Sequence, residues 1–142
     1  MKITQFATLV ALGSLLLAGA GCKKSGGSSS AASLDGKWVG SEVDNPAAQE
    51  QITINNGTFE FHGTNENDTF SGTISILYEE QQPGSLDVTI TEPESLAGKT
   101  ALFSIEHKGN ELKMAWFPPG STLRPQDLNP APGVRVASFK RQ

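Results

Sequence analysis

The chain has 142 residues, 11 basic and 15 acidic for a net charge of −4, and one cysteine. That length leaves room for one domain, and a lone cysteine excludes an internal disulfide. From Leu34 onward eight basic residues face fifteen acidic ones, a net of −7. A net acidic domain without a basic stripe is repelled by phosphate backbones, which argues against DNA or RNA as a partner.

Residues 1–21 read as a signal peptide. Met1-Lys2 gives a short basic start, and residues 3–20 are apolar or small apart from Thr4, Gln5, Thr8 and Ser14. Small residues, Ala18-Gly19-Ala20-Gly21, stand directly before Cys22, as a signal peptidase requires and a spanning helix does not. No later stretch is long and apolar enough to cross a bilayer as a helix. A cysteine after small residues resembles a bacterial lipobox, in which the thiol receives diacylglycerol and becomes the mature N-terminus. The chain departs from that motif at Gly19, where leucine is usual; the nearest leucine is Leu17. The rival reading is ordinary cleavage after Ala20, leaving a free thiol that is a liability in an oxidising compartment. The expected location is therefore the cell envelope, lipid-anchored at the outer membrane or the periplasmic face of the inner one. A soluble periplasmic or secreted protein is the alternative. Residues 22–33 make a lipidated cysteine and a Ser/Gly tether with nothing to bury. Lys23 and Lys24 add a weak attraction to anionic headgroups.

The domain, residues 34–142, reads as strands, because apolar and polar residues alternate at period two. Residues 37–43 open it. Residues 51–54 and 58–62 flank Asn56-Gly57, the strongest short hairpin signal. Residues 69–76 alternate in the same way and break at Gln82-Pro83-Gly84, and residues 86–91 end at Glu92-Pro93-Glu94. Residues 100–107 and 111–116 form a second hairpin about Gly109-Asn110, and residues 134–139 close the domain. Eight short strands with tight turns predict an all-β, antiparallel up-and-down barrel, since closure removes unpaired edges. The alternation points Trp38, Ile52, Ile54, Phe59, Phe61, Phe70, Ile74, Ile76, Leu86, Val88, Ile90, Phe103, Ile105, Leu112, Met114, Trp116, Val134 and Val136 inward. Most are large, which predicts a mostly filled interior. One connection, residues 117–133, carries five of the eight prolines; a loop of that length is functional or covers something.

Gly36-Lys37-Trp38 resembles the lipocalin G-x-W opening, in which the tryptophan plugs one barrel end against a basic residue of the last strand. Arg135 is the expected partner and Arg141 the alternative. The wider pattern is similar to a small lipocalin-like domain family expanded in planctomycetes and related bacteria, over residues 34–141. It rests on Leu34, Gly36 and Trp38, Gly72-Thr73, Leu86-Asp87, Gly98-Lys99-Thr100, Gly109-Asn110-Glu111-Leu112-Lys113, Pro119-Gly120, Arg124-Pro125 and Lys140-Arg141. The chain departs at Ala115, where that family often has cysteine, and at Gln126-Asp127. The resemblance implies a fold and no activity.

Catalytic and metal chemistry find little support. His62 and His107 are the only histidines and stand at polar-facing positions or strand ends, short of the three or four ligands a zinc site needs. Asn65-Glu66-Asn67-Asp68 is oxygen-rich but lacks the glycine and distal glutamate of a calcium loop. No serine sits in G-x-S-x-G, and the carboxylate pairs Glu79-Glu80 and Glu92/Glu94 fall in turns. No cofactor and no enzyme activity are expected. Arg124, Trp116 and Phe117 are the candidate ligand or partner contacts, because they border the proline-rich loop. For Arg124 the plainer reading is a hydrogen bond that anchors the loop. Two functions stay open: a monomeric envelope module whose surface contacts another envelope protein, and a carrier of a small apolar ligand at the barrel mouth.

Overall fold

A computed structural model describes residues 31–142; the segment read as a signal peptide, Cys22 and the stretch read as a tether through Ser30 lie outside the described residues. Period-two alternation broken by turn residues makes eight strands: β1 Gly36–Glu42, β2 Asn45–Asn55, β3 Thr58–His62, β4 Phe70–Tyr78, β5 Gly84–Glu92, β6 Thr100–Lys108, β7 Glu111–Trp116 and β8 Arg135–Arg141. Each pairs antiparallel with its chain neighbour, and β8 pairs back with β1 from Trp38↔Arg141 to Glu42↔Ala137. The result is a closed, lipocalin-like up-and-down barrel. Two short 3-10 turns, Ala31–Leu34 and Glu66–Asp68, are the helical elements among the described residues.

Local chemistry fixes the register. Asn56 (φ 48°) and Gly57 (φ 82°) both adopt left-handed backbone, as a two-residue hairpin requires, and lock Asn55 opposite Thr58. At the closing seam only glycine fits at position 40, where a Cβ would lie 1.9 Å from the Ser138 carbonyl oxygen.

The barrel axis is packed with aromatic rings. Phe59 lies 5.5 Å from Phe103 and 6.0 Å from Phe70, while Phe61 lies 5.4 Å from Phe70 and 5.6 Å from Trp116. Ring pairs at these separations contribute about 0.5–1.5 kcal/mol each beyond their buried area. Ile52, Ile54, Leu86, Val88, Ile90, Ile105, Leu112 and Met114 fill the spaces between them, all buried.

Two expectations need correction. Ile76 is half exposed and Leu77 takes its inward place, because a bulge between Ile74 and Ile76 shifts the phase of β4 by one residue. On β8 the inward residues are Ala137 and Phe139 rather than Val134 and Val136; Val134 precedes the strand, and Val136 is buried outside the hydrophobic core. The reason is a covered outer wall. Ser104, Ala115 and Val136 are cross-strand neighbours on outward-facing positions and are all buried, beneath the 117–134 connection. Leu34, at the predicted start of the domain, is itself buried.

Candidate functional site

Both barrel ends carry built clusters of charge, and they differ. The mouth end is formed by the connections 43–44, 63–69 and 93–99 and by the start of the long loop. Arg135, the first residue of β8, stands opposite Trp116 on β7, and its guanidinium carbon lies 5.2 Å from the Trp116 ring centre. The guanidinium pairs with Glu42 at the end of β1 and donates to Glu50 Oε1 on β2 at 2.7 Å. Asp68 Oδ1, from the 3-10 turn, lies 3.7 Å from its third nitrogen. Glu50 points inward in phase with Ala48 and Ile52, and its side chain has no solvent exposure. Burial pushes its carboxyl from 4.5 up to about 7, with Glu42 and Asp68 adding to the rise and Arg135 opposing it. Its second oxygen, Oε2, is buried without a hydrogen-bond partner among the described residues.

A carboxyl titrating near neutrality is a catalytic signature only where it reaches a substrate proton. Glu50 Oε1 is engaged by Arg135 and Oε2 is sealed. The cluster is therefore a clamp: a guanidinium seated on an aromatic stack and held by three carboxylates from β1, β2 and the 66–68 turn.

The other end receives the chain at residues 31–35 and is termed the tether end. Here the structure corrects the expected plug: Arg141, not Arg135, stacks on Trp38, with its guanidinium carbon 4.4 Å from the ring centre. Strand register explains this. Trp38 pairs directly with Arg141, while Arg135 lies six residues away along β8, or about 20 Å at strand rise. Arg141 also donates to the carbonyls of Asp35 and Ser33, and Trp38 Nε1 donates to Leu34 O at 2.9 Å, stapling residues 33–35 to the barrel end.

His107 belongs to this plug and is not a solvated imidazole, as its sequence position implied. It meets Trp38 edge-on at 5.7 Å, with Nδ1 2.9 Å from Glu79 Oε1 and Nε2 2.9 Å from Gly109 O. Ser33 Oγ donates to the other Glu79 oxygen at 3.0 Å. The carboxylate thus lies between hydroxyl and imidazole, an order in which the histidine cannot take the serine proton. His62 is exposed on β3, 3.9 Å from Glu60.

The contacts nominated from the sequence are not assembled at the mouth. Trp116 is 1% exposed and lies under Arg135. Arg124 sits on the outer wall, donating to Phe103 O at 2.7 Å and to Asp87, while Ser104 Oγ donates to Pro125 O. The loop-anchoring reading of Arg124 is the one its geometry matches. Phe117 and Arg124 do share a shallow hollow of about 340 Å³ within the loop, with Leu123, Pro125 and Val134, outside the barrel.

The sequence also hides an electrostatic polarity. The mouth end gathers Glu42, Asp44, Glu50, Glu66, Asp68, Glu92 and Glu94 against Lys99 and Arg135. The tether end balances Asp35, Glu79, Glu80 and Glu111 with Lys37, Lys108, Lys140 and Arg141. Compared with known proteins, the chain matches no family profile, no curated sequence and no solved structure.

Proposed function

We propose that this protein is a cell-envelope lipoprotein, held by a lipid on Cys22, whose barrel is a non-catalytic interaction module akin to the lipocalin-like domains it resembles. The observation that carries the reading is the filled axis: Phe59, Phe61, Phe70, Phe103 and Trp116 occupy the space in which a carrier holds its ligand. An eight-stranded barrel is just wide enough for side chains or one small ligand, and here side chains take the volume. Recognition then falls to the outer surface. Eight residues separate Cys22 from Ala31, a reach of roughly 30 Å at full stretch, so the tether end stays close to the bilayer. The acidic mouth end projects away from it, an orientation that anionic headgroups reinforce by repulsion.

Two measurements test this reading. Fatty acids, retinoids and anilinonaphthalene-type probes should not bind the purified domain saturably, and the emission of Trp38 and Trp116 should stay blue-shifted and unchanged on their addition. One-to-one binding displaced by a lipid, and lost in Trp116→Ala without unfolding, would instead establish the apolar-ligand carrier. For the anchor, wild-type protein should partition into the detergent phase and Cys22→Ser into the aqueous phase; aqueous wild-type protein with Gly21 as its first residue refutes lipidation.

A further inference from the structure

The mouth-end clamp has one loosely held member. Phe61 and Phe70 are the last cross-strand pair of β3 and β4 at this end, and the chain between them leaves the sheet as a flap that contains the 66–68 turn. The flap leans over the mouth until Asp68 Oδ1 lies 3.7 Å from Arg135 Nη1 on β8, a strand that neither β3 nor β4 touches. None of residues 66–68 is buried, and no side chain caps the turn. Its own hydrogen bonds, Asp68 N–H to Asn65 O and Thr69 N–H to Glu66 O, stay within the turn. The ionic tie from Asp68 is therefore what fastens the flap to β8.

The charge beneath the flap changes with one proton. Glu42, Glu50 and Asp68 compete for the same guanidinium, and Asp68 is the most distant of the three. While Glu50 is protonated, Arg135 and Glu42 cancel, and Asp68 meets a neutral pair with a guanidinium nitrogen facing it. Once Glu50 ionises, Asp68 faces a net negative charge instead. The charges acting on Glu50 are Glu42 on β1, Arg135 on β8 and Asp68 on the turn. From β3 and β7 the inward groups are the rings of Phe61 and Trp116, while His62 on β3 is exposed. Ionised Glu50 also has an unmet need. Its Oε2 is buried without a donor among the described residues, and a buried carboxylate oxygen without a partner is costly until water reaches it.

We infer that the 63–69 flap is a proton-held latch: with Glu50 protonated, Asp68 ties the flap down on Arg135, and with Glu50 ionised, the flap lifts and admits water to Oε2. The latch stands apart from the interaction-module reading and from any lipid on Cys22. Burial is the chief cause that lifts the Glu50 carboxyl from 4.5 to about 7, and Asp68 adds to the rise. The flap is therefore down in acid and lifts as the pH passes neutrality. Linkage is reciprocal: if ionised Glu50 repels Asp68, then Asp68 must hold the Glu50 carboxyl up.

The test is limited digestion of the full chain, at pH 6 and pH 8, with an endoprotease that cuts after glutamate. Cleavage follows the population of the lifted form, so the cut after Glu66 should be about ten-fold faster at pH 8 in wild type. Glu50→Gln carries no charge to repel Asp68 and should show only the pH dependence of the protease itself. Cuts after Glu79 and Glu111, which report opening of the whole barrel, should not share the wild-type rise. Asp68→Asn should make cleavage after Glu66 insensitive to pH and lower the Glu50 midpoint, followed by the shift of its carboxyl carbon in NMR. Equal acceleration after Glu66 in wild type and Glu50→Gln overturns the proposal. So does acceleration after Glu111 as large as after Glu66, or a Glu50 midpoint that Asp68→Asn leaves in place.

Discussion

Ending the chain after Gly133 should leave no folded protein. β8 is the one strand that touches both β7 and β1, and removing it exposes two strand edges along the whole barrel. It also removes Phe139, Ala137 and Val136, all buried, together with Arg135 and Arg141, which hold the two ends. Losing a buried phenylalanine alone costs about 3–5 kcal/mol, and total stability for a domain of this kind is about 5–15 kcal/mol. The truncated chain should lack a cooperative thermal transition and aggregate, and Phe139→Ala should retain a transition at lower temperature. Deleting residues 23–30, a stretch of Lys, Ser and Gly, should leave the midpoint unchanged. Extending that deletion through Ser33 should lower it, since Arg141 and Glu79 then each lose a partner. A truncated protein that melts like wild type shows that barrel closure contributes nothing to stability.

The strands were legible because burial imposes period two, and the Asn56-Gly57 turn was legible because so few residue pairs accept left-handed backbone. The end clusters were legible only where the G-x-W resemblance named Trp38 with Arg135 or Arg141, and periodicity missed the rest for one physical reason. Glu42, Glu50, His107, Arg135 and Arg141 are polar, and a search for apolar alternation stops before it reaches them. Yet each lies in phase with inward positions: Glu42 follows Trp38 and Gly40, Glu50 precedes Ile52 and Ile54, His107 follows Phe103 and Ile105, and the arginines flank Ala137 and Phe139. Carrying the two-residue frame past each apolar run marks all five as inward. Val136 misled for the opposite reason. An apolar residue reads as inward only where the outer wall faces water, and here the 117–134 connection covers that wall. The row of Ser104, Ala115 and Val136 cannot be seen without the strand pairing.

Substituting Glu50 by glutamine should stabilise the protein at pH 8 relative to wild type and leave it nearly unchanged at pH 5. The folded-state carboxyl titrates near 7, raised from 4.5 chiefly by burial, so between those values the folded protein binds more protons than the unfolded chain. Stability contributed by this group is therefore fully present below about 4.5, falls as pH rises and levels off above about 7. Glutamine mimics the protonated acid: its carbonyl still accepts from Arg135, and its amide can donate toward Glu42. The difference between wild type and Glu50→Gln should open by on the order of 2–3 kcal/mol across that window, read as a shift in urea midpoint at constant slope. Arg135→Met isolates the other half of the clamp. It leaves Glu50 buried without a counter-charge, a loss of about 3–5 kcal/mol when the carboxyl is ionised. At pH 5 the acid is neutral, and the loss should shrink toward that of an ordinary hydrogen bond, about 1 kcal/mol. Adding Glu50→Gln to Arg135→Met should recover most of the pH 8 loss, because no uncompensated charge then remains. Parallel pH profiles for wild type and Glu50→Gln, or a double variant as unstable at pH 8 as Arg135→Met alone, would remove Glu50 as the buried acid that makes the clamp respond to pH.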